Sequence, residues 1–241
     1  MDRKLVLGAG ALAVILLGGG AYWFMQSAPG EPAKGDVPVV ADAGTCTPKP
    51  IAVTADDFTV GDASAPITIV EYFSQTCGAC ARFHSETFPK LNEAYIKTGV
   101  VRLVLRDYQR NSVDLAASVI GRCLARDSFL PFTNLLLEEQ QTWMGREDQN
   151  IREGLKEMAK RAGMSADDFE TCMKKEDEAK KLAAAAEQAT KDYCIGGTPS
   201  LFLNGKKLEK AAAFDVLEAH IKDEMKALSV TLPDTKEGGA K

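Results

Sequence analysis

Histidine is nearly missing from this 241-residue chain: there are two, His84 and His220, far apart in sequence. Far apart as they are, each reads as a core or surface histidine rather than a metal ligand. There is no phosphate loop, no HExxH and no GxSxG, which removes the commonest nucleotide, metalloprotease and serine-hydrolase signatures. No basic block occurs and the net charge is −5, so nucleic acid is not an expected partner. Strand signals are few and short, and one long stretch has none. With 45% hydrophobic and 26% charged residues the composition is that of an ordinary globular protein.

The amino terminus departs from that picture. In the amino-terminal stretch 1–4, Asp2, Arg3 and Lys4 are charged, and Leu5 to Met25 carries no charge at all. That run is long enough to cross a bilayer as a helix, with Tyr22, Trp23 and Phe24 at the far interface. Arg3 and Lys4 favour leaving the terminus in the cytoplasm and exporting the rest. A cleaved signal peptide competes with an uncleaved anchor, although the run is long for a signal and no clean A-x-A site follows it closely, Ala41-Asp42-Ala43 lying far downstream. Both readings place the remainder outside the cytoplasm. There the six cysteines, at 46, 77, 80, 123, 172 and 194, are free to form disulfides.

Residues 26–56 hold Pro29, Pro32, Pro38, Pro48 and Pro50 and read as a semi-extended linker. Residues 229–241 read as a frayed tail. Between them, Ile67 to Phe73 and Val100 to Leu105 are rich in β-branched and aliphatic residues and are predicted strands. A segment with helical apolar spacing (Phe83, Phe88, Leu91, Tyr95) separates them. Residues 67–105 are therefore a β-α-β unit with a right-handed crossover. Ser200 to Leu203 and Lys206 to Leu208 are short strands around Asn204-Gly205, a strong hairpin signal. Ala211 to Leu228 is a closing amphipathic helix with Phe214, Leu217, Ile221 and Met225 on one face. Residues 111–193 give helical signals only, including a capping box from Ser165 and a long helix over 176–193, so this block is an all-helical insertion.

Chemistry concentrates in Cys77-Gly78-Ala79-Cys80, at the turn from the first strand into its helix. Amide N–H groups and the helix dipole there favour an anionic sulfur, making Cys77 a nucleophile near neutral pH. Cys80 lies one turn on, close enough to close a disulfide with it. A lone CxxC is weak; here it follows Val70-Glu71-Tyr72-Phe73-Ser74 and is joined by Gly197-Thr198-Pro199 ahead of the Asn204-Gly205 hairpin.

With these motifs, from about residue 57 to 228, the chain resembles the DsbA-like thiol–disulfide oxidoreductases of the thioredoxin superfamily. The resemblance implies an α/β thioredoxin fold, split into parts 57–110 and 194–228 by the helical subdomain 111–193. It implies that Cys77 attacks clients and that Cys80, shielded, resolves the mixed disulfide. Pro199 matches the family's cis-proline, which leaves a backbone edge for an extended client; Thr198 presents its backbone to the sulfur. Gly78 and Ala79 set redox poise and contact substrate. Glu71 matches a buried carboxyl that takes the proton of the second cysteine, against the alternative that strand alternation turns it to solvent. Cys123 and Cys172 are expected to pair, an entropic gain of about 4 kcal/mol, with two free thiols as the alternative. Cys46 and Cys194 could also bond, though relatives usually have glycine at the latter place.

The implied activity is oxidation of reduced, exported client proteins by an otherwise cofactor-free, metal-free monomer tethered to the membrane. A DsbB-like or VKOR-like membrane partner would reoxidise it. The family's strong oxidants often carry Pro-His between the cysteines. Gly78-Ala79 lacks both, so a potential less oxidising than about −120 mV is expected. An isomerase or reductase of the same fold is the alternative; a non-enzymatic thioredoxin-like module is more remote. Zinc binding would need a second Cys/His pair that is not there.

Overall fold

The structure is a computed structural model and describes residues 46–145 and 150–233. The segment 5–25, read above as anchor or signal, lies outside those residues, as do 26–45 of the linker and 234–241 of the tail. Among the described residues no helix is long and apolar enough to cross a membrane.

Two strands form the centre. β2 (Ile67–Phe73) and β3 (Val101–Asp107) pair in parallel, with Glu71 opposite Leu105. β4 (Ser200–Leu203) runs antiparallel to β2 and β5 (Lys206–Leu208) antiparallel to β4. β1 (Phe58–Val60), which the sequence reading did not include, pairs antiparallel with β3 and completes the order β1-β3-β2-β4-β5. Asn204 and Gly205 both take positive φ, 46° and 84°, as a tight hairpin between β4 and β5 requires.

Six of the seven residues of β2 are buried because both faces of the sheet are covered. Odd-numbered residues Ile67, Ile69 and Phe73 pack with Leu103, Leu201 and helix α1 (residues 78–96); the closing helix, with Leu217, Ile221 and Met225, joins the same core. Even-numbered Val70 and Tyr72 pack with Val104, Ala189 and Phe202 on the other face. Helix α1 alternates α-helical pieces (Gly78–Arg82, Phe88–Leu91) with π-helical ones (Phe83–Thr87, Asn92–Ile96). Pro89 has no N–H to continue the ladder, and the first wide turn falls just before it.

The insertion comprises α2 (Ser112–Cys123), α3 (Phe129–Glu138), α4 (Gln140–Trp143), α5 (Ile151–Arg161), α6 (Ala166–Cys172) and α7 (Glu176–Tyr193). Its own core gathers Ile120, Phe132, Leu136, Trp143, Leu155, Met158 and Phe169. Gly154 is required on α5: a Cβ there would meet the Trp143 carbonyl oxygen at 2.1 Å. The Ser165 hydroxyl caps α6 by accepting from Asp168 N–H. Cys123, ending α2, and Cys172, ending α6, are joined in a disulfide, as the resemblance implied. Phe129 belongs instead to the thioredoxin core, stacked on Phe58 with ring centres 3.5 Å apart. Arg122, ion-paired to Asp107, lies over both rings and fixes this joint.

The linker expected over 26–56 is corrected for its last part. Cys46 is bonded to Cys194, Lys49 N–H donates to Asp192 O, and Ile51 and Val53 pack against the even face of the sheet. Arg106 donates to Ala52 O and pairs with Asp57. The segment is held because it covers apolar surface that the sheet would otherwise expose. Cys194 sits past the end of α7 at φ 55°, the left-handed position glycine favours. The closing helix α8 runs over Phe214–Leu228, and Val230 beyond it still packs on the core, so fraying does not begin at 229.

Candidate active site

The loop from β2 to α1 sets the site. Cys77 is the residue capping α1, in extended conformation, with its N–H donating to Ser74 O at 3.1 Å and its carbonyl accepting from Ala81. The sulfur therefore lies at the open amino end of the helix. The helical insertion holds the loop from the other side. Gln140, on α4, donates from one Nε2 to Gln75 O at 2.7 Å and to Cys77 O at 3.0 Å. Asp114, on α2, accepts from Thr76 N–H at 2.9 Å and from the Ser74 hydroxyl at 2.8 Å.

Cys77 and Cys80 are both free thiols in this structure. Cys77 keeps 5% of its surface exposed and Cys80 none, so only Cys77 presents a sulfur edge outward. Their ionisation diverges. The Cys80 thiol donating to it is the largest influence drawing Cys77 down to about 5; Thr198 and the N–H groups of Cys80 and Ala79 add to this, against burial. Burial pushes Cys80 up, and the neighbouring Cys77 and Glu71 push it further. One sulfur is thus an anion at neutral pH and the other a proton-bearing thiol.

Thr198 and Pro199 face this pair across a cis peptide bond. The Thr198 carbonyl accepts from the Cys77 thiol at 3.2 Å. Its hydroxyl is buried with no partner in this thiol state, free to turn toward an ionised sulfur. Gly196 and Gly197, just before Thr198, are exposed, and the Gly197 carbonyl accepts from the Ser200 hydroxyl at 2.7 Å. Gly78 has nothing within 4 Å of where a Cβ would be, and neither it nor Ala79 brings a polar side chain to Cys77, although the Ala79 N–H supports its sulfur.

Glu71 is fully buried and does not point to solvent, because the sheet is covered on both faces. It shares the odd face of β2 with Phe73, toward α1. One oxygen, Oε2, is 3.1 Å from His84 Nε2; the other, Oε1, is buried with no partner. His84 was read from sequence only as a core or surface residue. It is a buried partner of the acidic group, with Nδ1 3.0 Å from Asn134 Oδ1 on α3. Burial alone would push His84 down, but the Glu71 charge and the bonds to Glu71 and Asn134 outweigh it and hold the imidazole above its ordinary range. The spacing Cys80 to His84, one helical turn on the same side, was the available signal.

Fold and site together define a thioredoxin-type protein: a cysteine pair at a helix amino end, a cis-proline opposite and a helical insertion above. The family description Thioredoxin matches residues 54–223, and the chain belongs to that family. A Rickettsia bellii protein that bears the name protein-disulfide oxidoreductase is 32% identical over 158 residues, covering 65% of this chain and 60% of that protein. The chain thus spans under two thirds of that relative's length. Disulfide bond formation protein D of Bacillus subtilis is 27% identical over 69% of this chain and 76% of its own. The crystal structure of Wolbachia pipientis alpha-DsbA1 superposes with a TM-score of 0.68 at 23% identity, over 74% of this chain and 96% of that one. Oxidised BdbD from Bacillus subtilis gives 0.65 at 22%, over 75% and 98%. At such identity these two structures speak to the fold alone.

Proposed function

We propose that the protein is a thiol–disulfide oxidoreductase that introduces disulfides into exported proteins, with Cys77 as the exchanging sulfur and Cys80 as the resolving one. The observation that carries this is the opposite displacement of two adjacent thiols, Cys77 down to about 5 and Cys80 upward. A client thiolate attacks Cys77 of the enzyme disulfide and expels the Cys80 sulfur. The client's second thiolate then attacks the mixed disulfide, leaving with a disulfide of its own while the enzyme holds two thiols. Glu71 exchanges the proton of Cys80 through its free oxygen. The exposed backbone before Pro199 accepts an extended client segment as an added strand, aligning its sulfur with Cys77.

The names of the relatives, which speak of disulfide oxidoreduction and disulfide bond formation, support this reading. Location outside the cytoplasm rests on the uncharged run 5–25, and tethering on its length. Regeneration of the disulfide then falls to a membrane reoxidase of DsbB-like or VKOR-like type. A second reading, isomerase or reductase, is favoured by Gly78 and Ala79, which add no polar side chain to hold the thiolate. Acid quenching of cells followed by thiol trapping of the full chain tests the direction. Cys77 and Cys80 are expected mainly as the disulfide; a mainly dithiol state would turn the assignment to the second reading.

A further inference from the structure

We propose that Glu71 and His84 work as a single proton-holding unit for Cys80, His84 being a positioning residue that acts through Glu71. The inference rests on the exchange reaction above and deepens it. Three geometric facts carry it. Glu71 has one buried oxygen without a partner and the other engaged by His84 Nε2 at 3.1 Å. Both side chains are sealed, at 0% and 1% exposure, so water cannot take the proton directly. His84 Nδ1 is held by Asn134 Oδ1, which can only accept; Nδ1 therefore carries hydrogen and the variable proton lies between Nε2 and Oε2. Asn134 is partly exposed, so the chain Glu71–His84–Asn134 runs from beneath the cysteines toward the surface.

The proton balance is the same whichever atom holds the variable proton. When Cys80 ionises, its proton goes to Glu71 Oε1, and any proton on Oε2 passes to His84 Nε2. The unit ends with a neutral carboxyl and an imidazolium beside a thiolate. That thiolate attacks the Cys77 sulfur of a mixed disulfide: the Cys80–Cys77 bond forms, the bond from Cys77 to the client breaks, and the client leaves as a thiolate. In the opposite direction the unit returns the proton to the departing Cys80 sulfur. The charged or titratable groups acting on His84 are Glu71 from β2 and Glu138 from α3. Cys77 and Cys80 belong to its own helix; the rings of Phe73, Phe83 and Phe88 fill the rest.

The test is stopped-flow resolution of the Cys77–glutathione mixed disulfide from pH 5 to 9 in the full chain. Parent, Glu71→Gln, His84→Gln and the double variant are compared. Glutamine keeps a donor toward Glu71 but holds no mobile proton. Each single variant is expected to slow resolution tenfold or more at pH 7, the range of general acid–base effects. The double variant should be no slower than the slower single, as for groups acting as one unit. His84→Gln should also lose the parent's pH inflection while Cys77 alkylation stays within twofold. A His84→Gln profile superimposed on the parent, or multiplicative losses in the double variant, would overturn the inference. A parent that exchanges no disulfide with glutathione would instead sink the proposed function. If His84→Gln does not fold, NMR titration of the His84 ring in the parent decides. Different curves in dithiol and disulfide forms support the unit; identical curves refute it.

Discussion

The Ser74 hydroxyl donates to Asp114 Oδ2 at 2.8 Å, and that bond ties the insertion to the loop carrying Cys77. The same carboxylate takes Thr76 N–H and Arg110 N–H, so one fully buried group organises both the loop and the start of α2. Asp114→Ala strands these donors in the interior. A loss of about 3 kcal/mol in urea unfolding is expected, at the upper end for an emptied buried acceptor. Gln140→Ala should cost about 1–2 kcal/mol by the same reasoning, since one side chain leaves two carbonyls. Equal stability of parent and Asp114→Ala would show that the insertion does not brace the loop.

Two groups give the dithiol form opposite pH dependences. Cys77, lowered to about 5 when folded, contributes stability that is full above the ordinary thiol range and is lost as pH falls through about 5. His84, held above its ordinary value, contributes stability that is full below about 6.5 and is lost as pH rises through its folded value. Urea unfolding of reduced Cys77→Ser should therefore differ most from the parent at pH 8–9, and that of His84→Gln at pH 5–6. Absorbance of the thiolate near 240 nm should titrate as a single group near pH 5. A midpoint above 7 would contradict the helix-end and Cys80 stabilisation.

The redox potential should follow the same thiolate. A value near 5 lies between the roughly 3.5 and 7 of a strong oxidant and a reductant of this fold. The corresponding potentials are about −120 and −270 mV, and this protein should fall between them. Gly78 is the first residue of α1 and has open space around it, so proline fits there without strain. Gly78→Pro with Ala79→His should raise the potential by about 30 mV or more, tenfold in the exchange constant. Titration against glutathione and dithiothreitol would measure both; an unmoved or lowered potential would show that poise is set elsewhere.

The structural disulfides should separate in their effects. Cys123–Cys172 closes a loop of sequence separation 49 inside the insertion. Cys123→Ala with Cys172→Ala should cost about 4 kcal/mol in the chain-entropy description while Cys77 exchange changes less than threefold. Cys46–Cys194 has a separation of 148 and a larger expected gain, about 5 kcal/mol. Guanidinium unfolding of the two double variants beside the parent ranks them, and a larger loss for the shorter loop would reverse the order.

The strands β2 and β3, the hairpin and the helical insertion were legible because each has a periodic or turn signal of its own. So was the core of the site, since Cys77, Cys80, Thr198 and Pro199 sit in short motifs. What escaped depends on pairing between distant segments. β1 is three residues long and is a strand only because β3 offers an edge. Ile51 and Val53 lie among prolines and find apolar partners only when the sheet twists beneath them. His84 was visible as a residue, but its meaning requires the odd face of β2 to bring Glu71 against α1. Asp114 and Gln140 carry no local signal of contact with the cysteine loop, because that contact exists only once the insertion folds back.

The bond from Cys46 to Cys194 carries a consequence for biogenesis. Of the four bonded cysteines the first to emerge in synthesis waits for the last, and Cys77 and Cys80 appear in between. A newly made chain is thus itself a substrate for the chemistry proposed for the finished one. Its maturation should depend on copies that are already oxidised, so the first molecules made in a cell lacking them would mature slowest.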